Sequence, residues 1–187
     1  MESERSLLVR RDVLDSWSST RALWALARNA LVIGSRVYPG RKDRRSLYAN
    51  AVGVDVLAGP GVDVVRNLEE GVPDEWRGTF EHVDCVSVLE HARKPWLLAQ
   101  AITDCLAPNG TLLVSVPWVW RFHGYPNDYW RFTPAGLREL FDGLRWVELA
   151  QSSAGEVQRK LTAMRRVEHN NYPYFARSEV FGIAVKP

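Results

Sequence analysis

Apolar residues in this chain gather into short, nearly unbroken runs separated by stretches with helical spacing. One run, Val83-Asp84-Cys85-Val86-Ser87-Val88-Leu89, stops abruptly at the charged pair Glu90-His91. Pro95 then opens a stretch that places Leu98, Ala101, Ile102 and Cys105 on one face of a helix. Pro108-Asn109-Gly110 supplies a stop signal, and a second apolar run fills residues 111–117. Strand, helix and strand with near-continuous apolar runs predict parallel pairing in a sheet covered on both faces. Polar groups at the carboxyl end of such a strand lie where open α/β sheets bind ligands.

The same pattern organises the rest of the chain. Residues 4–29 read as helix in two pieces: Leu7, Leu8, Arg11 and Leu14 have helical spacing, and Ser18-Ser19-Thr20 offers a fresh N-cap before Leu23, Trp24 and Ala27. A strand at 30–33 runs into Gly34, a turn or short helix covers 39–48, and a second strand follows at 51–56. Gly59-Pro60-Gly61 turns the chain into a third strand at 62–65. Beyond the fifth strand come an aromatic loop and a helix capped by Thr133-Pro134, with Leu137, Leu140 and Phe141 inward. A sixth strand is expected near 146–149 and a seventh at 180–185, joined by a link with a helix around Val157, Leu161 and Met164. No repeat or interdomain linker interrupts the pattern. Residues 1–29 are therefore expected to be an N-terminal helical segment of the same domain as 30–187.

Composition narrows the class. A length of 187 residues with 46% hydrophobic content suits one domain with a real core. No apolar run reaches the ~18 residues that span a membrane, and the first residues lack the apolar stretch of a secretory signal. Cys85 and Cys105 lack metal-site spacing and fit small core residues in a reducing compartment, so a cytoplasmic address is expected. A net charge of +2 does not by itself imply nucleic-acid binding. The basic run Arg41-Lys42-Asp43-Arg44-Arg45 reads as a solvated helix face, with an anionic partner as the alternative.

Candidate chemistry falls at three places. Gly34 follows the first strand and Asp55 ends the second, 21 residues later. In nucleotide-binding α/β folds such a glycine admits a ligand to the backbone, and such an acid accepts hydrogen bonds from ribose hydroxyls. The segment Gly34-Ser35-Arg36-Val37-Tyr38-Pro39-Gly40 is not the G-x-G-x-x-G that binds pyrophosphate, so a nucleoside ligand is favoured over a dinucleotide. A strand terminator and a capping carboxylate are the alternative. Glu90-His91 fits a site edge, a helix-entry cap or part of a cation site. The loop from Trp118 to Arg131 is dense in aromatics and fits an acceptor pocket, with His123 and Asp128 as its polar groups and His123 able to act as a base near neutral pH. Its alternative is an aromatic seal on the sheet edge, with Asp128 paired to Arg131 or capping the next helix. Arginine among aromatics also suits single-stranded nucleic acid, but no long basic groove is evident.

Together these residues resemble the class I S-adenosylmethionine (SAM)-dependent methyltransferases, and within them the small type-11 group. The likeness rests on Gly53-Val54-Asp55, residues 59–65, Leu89-Glu90-His91, residues 108–117 and Asp128-Tyr129-Trp130-Arg131-Phe132-Thr133-Pro134. It implies a Rossmann-like α/β fold with a seven-stranded, mainly parallel sheet, helices on both faces and an antiparallel last strand. It also implies SAM as cofactor, with Gly34 beneath its methionine part, Asp55 on the ribose, Asn67 and Leu68 beside the adenine, and Ser87 and Val88 near the sulfonium. On the acceptor side the candidates read from the residues are His91, Trp120, Tyr125, Tyr129, Trp130 and Arg131, with His123 and Asp128 as catalytic candidates. The acceptor is expected to be a small or carbohydrate-like molecule. A protein partner or a second copy of the chain is an open association, and nucleic acid and membrane are not expected. Some quinone O-methyltransferases of the superfamily bind a divalent ion here through carboxylates; Ser87 stands in the place of one of them, so no metal is expected. Val32 replaces a usual acid, Arg36 a common second glycine and Asn67 a usual aspartate. These departures support the rival reading, a methyltransferase-like module without activity that serves in an assembly.

Overall fold

A computed structural model describes residues 27, 29–120, 122–124, 126–151 and 178–187. Seven strands form one sheet: β1 (Ala30–Ile33), β2 (Ala51–Asp55), β3 (Val64–Val65), β4 (Phe80–Val86), β5 (Leu106–Val119), β6 (Arg145–Gln151) and β7 (Ser178–Val185). Their spatial order is β3-β2-β1-β4-β5-β7-β6. Neighbours from β3 to β5 pair in parallel, and β7 runs antiparallel to both β5 and β6. The sheet is thus the expected one, mainly parallel with its last strand reversed. Helix α1 (Pro95–Cys105) begins with proline in its first turn, and α2 (Pro134–Leu140) begins at Thr133, whose hydroxyl accepts from the Gly136 N–H at 2.8 Å. No described helix is long and apolar enough to cross a membrane.

Alternation along the strands sends side chains to two faces. Leu31, Ile33, Val83, Cys85, Leu112 and Val114 belong to the larger apolar cluster, with Leu98, Ile102 and Cys105 of α1. Ala30, Val32, Tyr48, Leu113, Phe181 and Ile183 form the second. Each fully buried aliphatic side chain contributes about 1.5–3 kcal/mol relative to exposure.

Within β4, two polar residues sit among these apolar ones. Asp84 is fully buried and accepts from Arg44 Nε at 3.0 Å, Arg44 Nη2 at 2.6 Å and the Tyr48 hydroxyl at 2.5 Å. His82 Nε2 lies 3.2 Å from that hydroxyl, and His82 Nδ1 lies 2.7 Å from Thr111 Oγ1. The basic run is therefore not a solvated helix face. Arg44 bridges to the sheet, and Arg45 binds Asp43 at 2.7 Å and Asp63 at 2.6 Å. The connection from β1 to β2 holds a short 3-10 turn, Arg44–Leu47, which delivers Arg44 and Tyr48 to β4.

Several strand boundaries differ from the expected ones, and two of the differences have clear local reasons. β4 starts at Phe80, before the apolar run, because ladder bonds extend past His82. Pro108-Asn109-Gly110 does not stop α1, which ends at Cys105; it lies inside β5, where the register shifts between Phe80 and His82. Asn109 has φ +61, and a Cβ on Gly110 would fall 2.8 Å from the Ala107 carbonyl oxygen, so this bulge requires glycine. The helices expected within 4–26 and around 157–164 lie outside the described residues.

Candidate functional site

The carboxyl ends of β1, β2 and β4 meet at Gly34. This glycine has φ +67, and a Cβ on it would fall 2.5 Å from Val88 Cγ2. Backbone strain and lack of space both require glycine there. Its N–H donates to the Val54 carbonyl at 2.9 Å, which ties it to the end of β2. Asp55, the last residue of β2, accepts from the Arg36 N–H at 3.2 Å and the Leu57 N–H at 3.0 Å. A carboxylate offers about four acceptor positions, so capacity remains for a ligand's hydroxyls. Val56 and Leu57 follow it as exposed apolar side chains. Arg36, at the place of a family glycine, lies against Gly59 and places its guanidinium 5.3 Å from the Tyr38 ring centre.

The other predicted cofactor residues lie around this point with different freedoms. Asn67 caps the turn Leu68–Glu70: its side-chain oxygen accepts from the Glu69 N–H at 3.1 Å and its amide donates to Glu70 at 3.1 Å. Leu68 is buried in the core. Ser87 has φ +56 and donates its N–H to the Ser115 carbonyl at 2.8 Å, which turns the chain sharply after β4.

A second, polar group of residues begins at the next turn, Leu89–His91. The His91 N–H donates to the Val88 carbonyl at 2.8 Å, so this turn is continuous with the residue that packs on Gly34. The loop after β5 hooks onto it. Tyr129 and Trp130 donate their N–H groups to the Glu90 carbonyl at 2.8 and 3.2 Å, and Trp130 Nε1 donates to the Ala92 carbonyl at 2.9 Å. His91 Nδ1 donates to the Asn127 carbonyl at 2.5 Å. Asp128 binds Arg131 at 2.5 and 2.8 Å, the His123 N–H at 2.8 Å, and His123 Nδ1 at 3.0 Å. His91 and His123 stack edge to face, 5.0 Å between ring centres.

Burial sets the protonation of this group. Glu90 is 1% exposed, and desolvation pushes its carboxyl up to about 7, with Asp128 and Glu179 adding to the rise. Burial likewise holds His91 below the usual imidazole range. Burial alone would raise Asp128, but the Arg131 guanidinium and the His123 N–H hold it down at about 2, ionised.

The structure therefore gathers His91, His123, Asp128, Trp130 and Arg131 into one cluster. Trp120 joins it through its carbonyl, which accepts from Arg131 at 3.3 Å. Tyr129 and Phe122 are exposed, and the Trp130 ring meets Trp96 of α1 at 6.1 Å. Tyr125 lies outside the described residues. Sequence reasoning placed Glu90 at the edge of the site; the structure places its side chain at the centre of this cluster. The available signal was a charge directly after a buried run, which shows position but not orientation.

No protein-family model matches the chain. A ubiquinone biosynthesis O-methyltransferase of Shewanella pealeana is 32% identical over 73 residues, covering 39% of this chain and 28% of that relative. The matched segment thus spans less than a third of the curated relative's length. The 1,6-didemethyltoxoflavin-N1-methyltransferase of Burkholderia thailandensis, solved with its substrate and S-adenosylhomocysteine, is similar at TM-score 0.59 and 16% identity over 94% of this chain and 81% of its own. The [4+2]-cyclase SpnF is similar at TM-score 0.64 and 15% identity, over 94% of this chain and 80% of its own. The strand order, the reversed β7 and these likenesses show that the chain has the Rossmann-like fold of class I SAM-dependent methyltransferases.

Proposed function

We propose that this protein transfers a methyl group from SAM to a small-molecule or carbohydrate-like acceptor by direct displacement. One observation carries the reading: a strand-end carboxylate, Asp55, and a partly buried polar cluster around His123 flank the close contact of Gly34 with Val88 at the carboxyl edge of the sheet. The residues fit the cofactor. Gly34 presents bare backbone, Asp55 retains acceptor capacity for ribose hydroxyls, and Val56 and Leu57 offer apolar surface beside it. When bound, SAM supplies an electrophilic methyl group on its sulfonium.

The chain's own contribution is alignment and proton handling. Displacement depends on holding acceptor and methyl in line, which the loop docked on Glu90 and Ala92 is built to do. Asp128 fixes His123 with its proton on Nδ1, so Nε2 is the atom that receives a proton from an acceptor hydroxyl. Arg131 keeps Asp128 ionised for that task. The two buried free cysteines suit a reducing, cytoplasmic setting.

The rival reading, a module without methyl transfer, has its own support. Val32 is fully buried in the apolar core where the family carries an acid, and SpnF shows this fold described as a cyclase. Calorimetry with SAM and S-adenosylhomocysteine separates the two. Binding near 1 μM, about −8 kcal/mol, that weakens about tenfold or more in Asp55→Ala supports the enzyme. Absence of binding by folded protein leaves the module.

A further inference from the structure

The Glu90 side chain is 1% exposed, and its Oε2 has no hydrogen-bond partner among the described residues. Its other oxygen, Oε1, lies 3.8 Å from His91 Nε2, beyond hydrogen-bond length. A carboxyl placed this way has lost its bound water, and Oε2 has no protein donor in exchange. The arrangement is destabilising until a ligand brings a donor to it. Solvent comes close: the side chains of His91 and His123 beside Glu90 are 14% and 18% exposed. The loop that covers this turn is held by the Tyr129 and Trp130 N–H groups on the Glu90 carbonyl, so a ligand enters as that loop lifts.

The surrounding charges decide which donor suits the site. Asp128 is ionised, and both it and Glu179 push the Glu90 carboxyl up, adding to the larger effect of burial. Arg131 acts against them, but it binds Asp128 at 2.5 and 2.8 Å and the Trp130 carbonyl at 2.7 Å. Its charge is therefore set against Asp128 first. Burial holds His91 in its neutral form, with His123 and Arg131 acting the same way. Negative charge around Glu90 favours a cationic donor over a neutral one.

We propose that Glu90 binds a protonated amine of the acceptor, so that the acceptor is a hydroxyl-bearing amine of the amino-alcohol or amino-sugar class. The inference rests on the acceptor reading above and adds a substrate class to it. An ammonium group offers N–H donors to a carboxylate, and a hydrogen bond between opposite charges is stronger than one between neutral groups. A bound ammonium has no lone pair to take a methyl group. It therefore anchors the molecule by its nitrogen and leaves a hydroxyl of the same molecule to be methylated. Glu90 titrates near 7 in the free protein, so an arriving ammonium holds it ionised and sends its proton to solvent.

Ethanolamine is the probe and ethylene glycol its neutral counterpart, each titrated at pH 6.5 into the full chain without SAM. Calorimetry should give an ethanolamine Kd on the order of 1 mM, about tenfold or more below that of ethylene glycol. The carbon-13 signal of the Glu90 carboxyl, assigned by its absence in Glu90→Gln, should move to its ionised position with ethanolamine and stay in place with ethylene glycol. Glu90→Gln, checked for folding by circular dichroism, should bind the two probes alike. Asp55→Ala should bind ethanolamine as wild type does while losing SAM, which separates failure of the cofactor reading from failure of this one. No ethanolamine binding, equal affinity for the two probes in wild type, an unmoved Glu90 signal at saturating ethanolamine, or a preference that persists in Glu90→Gln would each overturn the proposal.

Discussion

One polar cluster centres on Asp84 within β4 and a second on Glu90 in the turn that follows, and they differ in how their hydrogen bonds balance. Around Asp84, donors match acceptors: Arg44 and Tyr48 supply protons to the carboxylate, and His82 lies between Tyr48 and Thr111. Around Glu90, two histidine nitrogens face a carboxylate whose Oε2 is buried without a hydrogen-bond partner among the described residues. A balanced buried network holds a fold together, whereas an unbalanced one is tolerated where a ligand or a proton completes it. The comparison separates structure from function within a single strand and its following turn.

Asp84→Ala should have the largest effect, since it leaves Arg44 and Tyr48 without their buried partner. Denaturant unfolding should show a loss of about 3–5 kcal/mol; a change under about 1 kcal/mol would erase the contrast. Next is pH. Burial holds His82 down at about 4, so the folded protein binds fewer protons than the unfolded chain below the ordinary value of 6.5. Stability should therefore fall as pH drops from about 6.5 to 4, by on the order of 3 kcal/mol at most, and His82→Gln should flatten that slope. Unfolding midpoints across this window check it.

At the other cluster the effects should appear in activity. His123→Ala should lower methyl transfer about a hundredfold while SAM binding persists; unchanged turnover removes His123 as the base. The smallest stability change belongs to Glu90→Gln. Replacing this buried acid, whose Oε2 has no hydrogen-bond partner among the described residues, by its amide should leave unfolding within about 1 kcal/mol of wild type. If Glu90→Gln proved as disruptive as Asp84→Ala, the two clusters would be alike and the functional reading of the second would lose its basis.

Much of the fold was legible because its signals are local. Pro95 with Leu98, Ala101, Ile102 and Cys105 marked α1, Thr133-Pro134 marked α2, and the runs at 83–89 and 111–117 marked adjacent parallel strands. What was hidden depends on contacts between distant residues. Arg44 reaches Asp84 across 40 positions, so a basic run that joins the sheet looked like a solvated surface. Asn109-Gly110 looked like a helix stop because a bulge and a cap demand the same left-handed backbone. At the site, Asp55, His91 and His123 were visible as residue types. That two rings turn Nε2 toward Glu90 was not, because Asn127 and Asp128 set the direction.

The hook of the loop onto the Glu90 carbonyl has a consequence for hydrogen exchange. The amide protons of Tyr129 and Trp130 are shielded only while the loop is seated, and the same seating brings His123 beside Glu90. Their exchange rates therefore report the opening equilibrium of the site itself. A ligand that bridges turn and loop should slow both amides together, by the factor with which it favours the seated state. These two backbone protons thus provide a gauge of site assembly that requires neither catalysis nor a known acceptor.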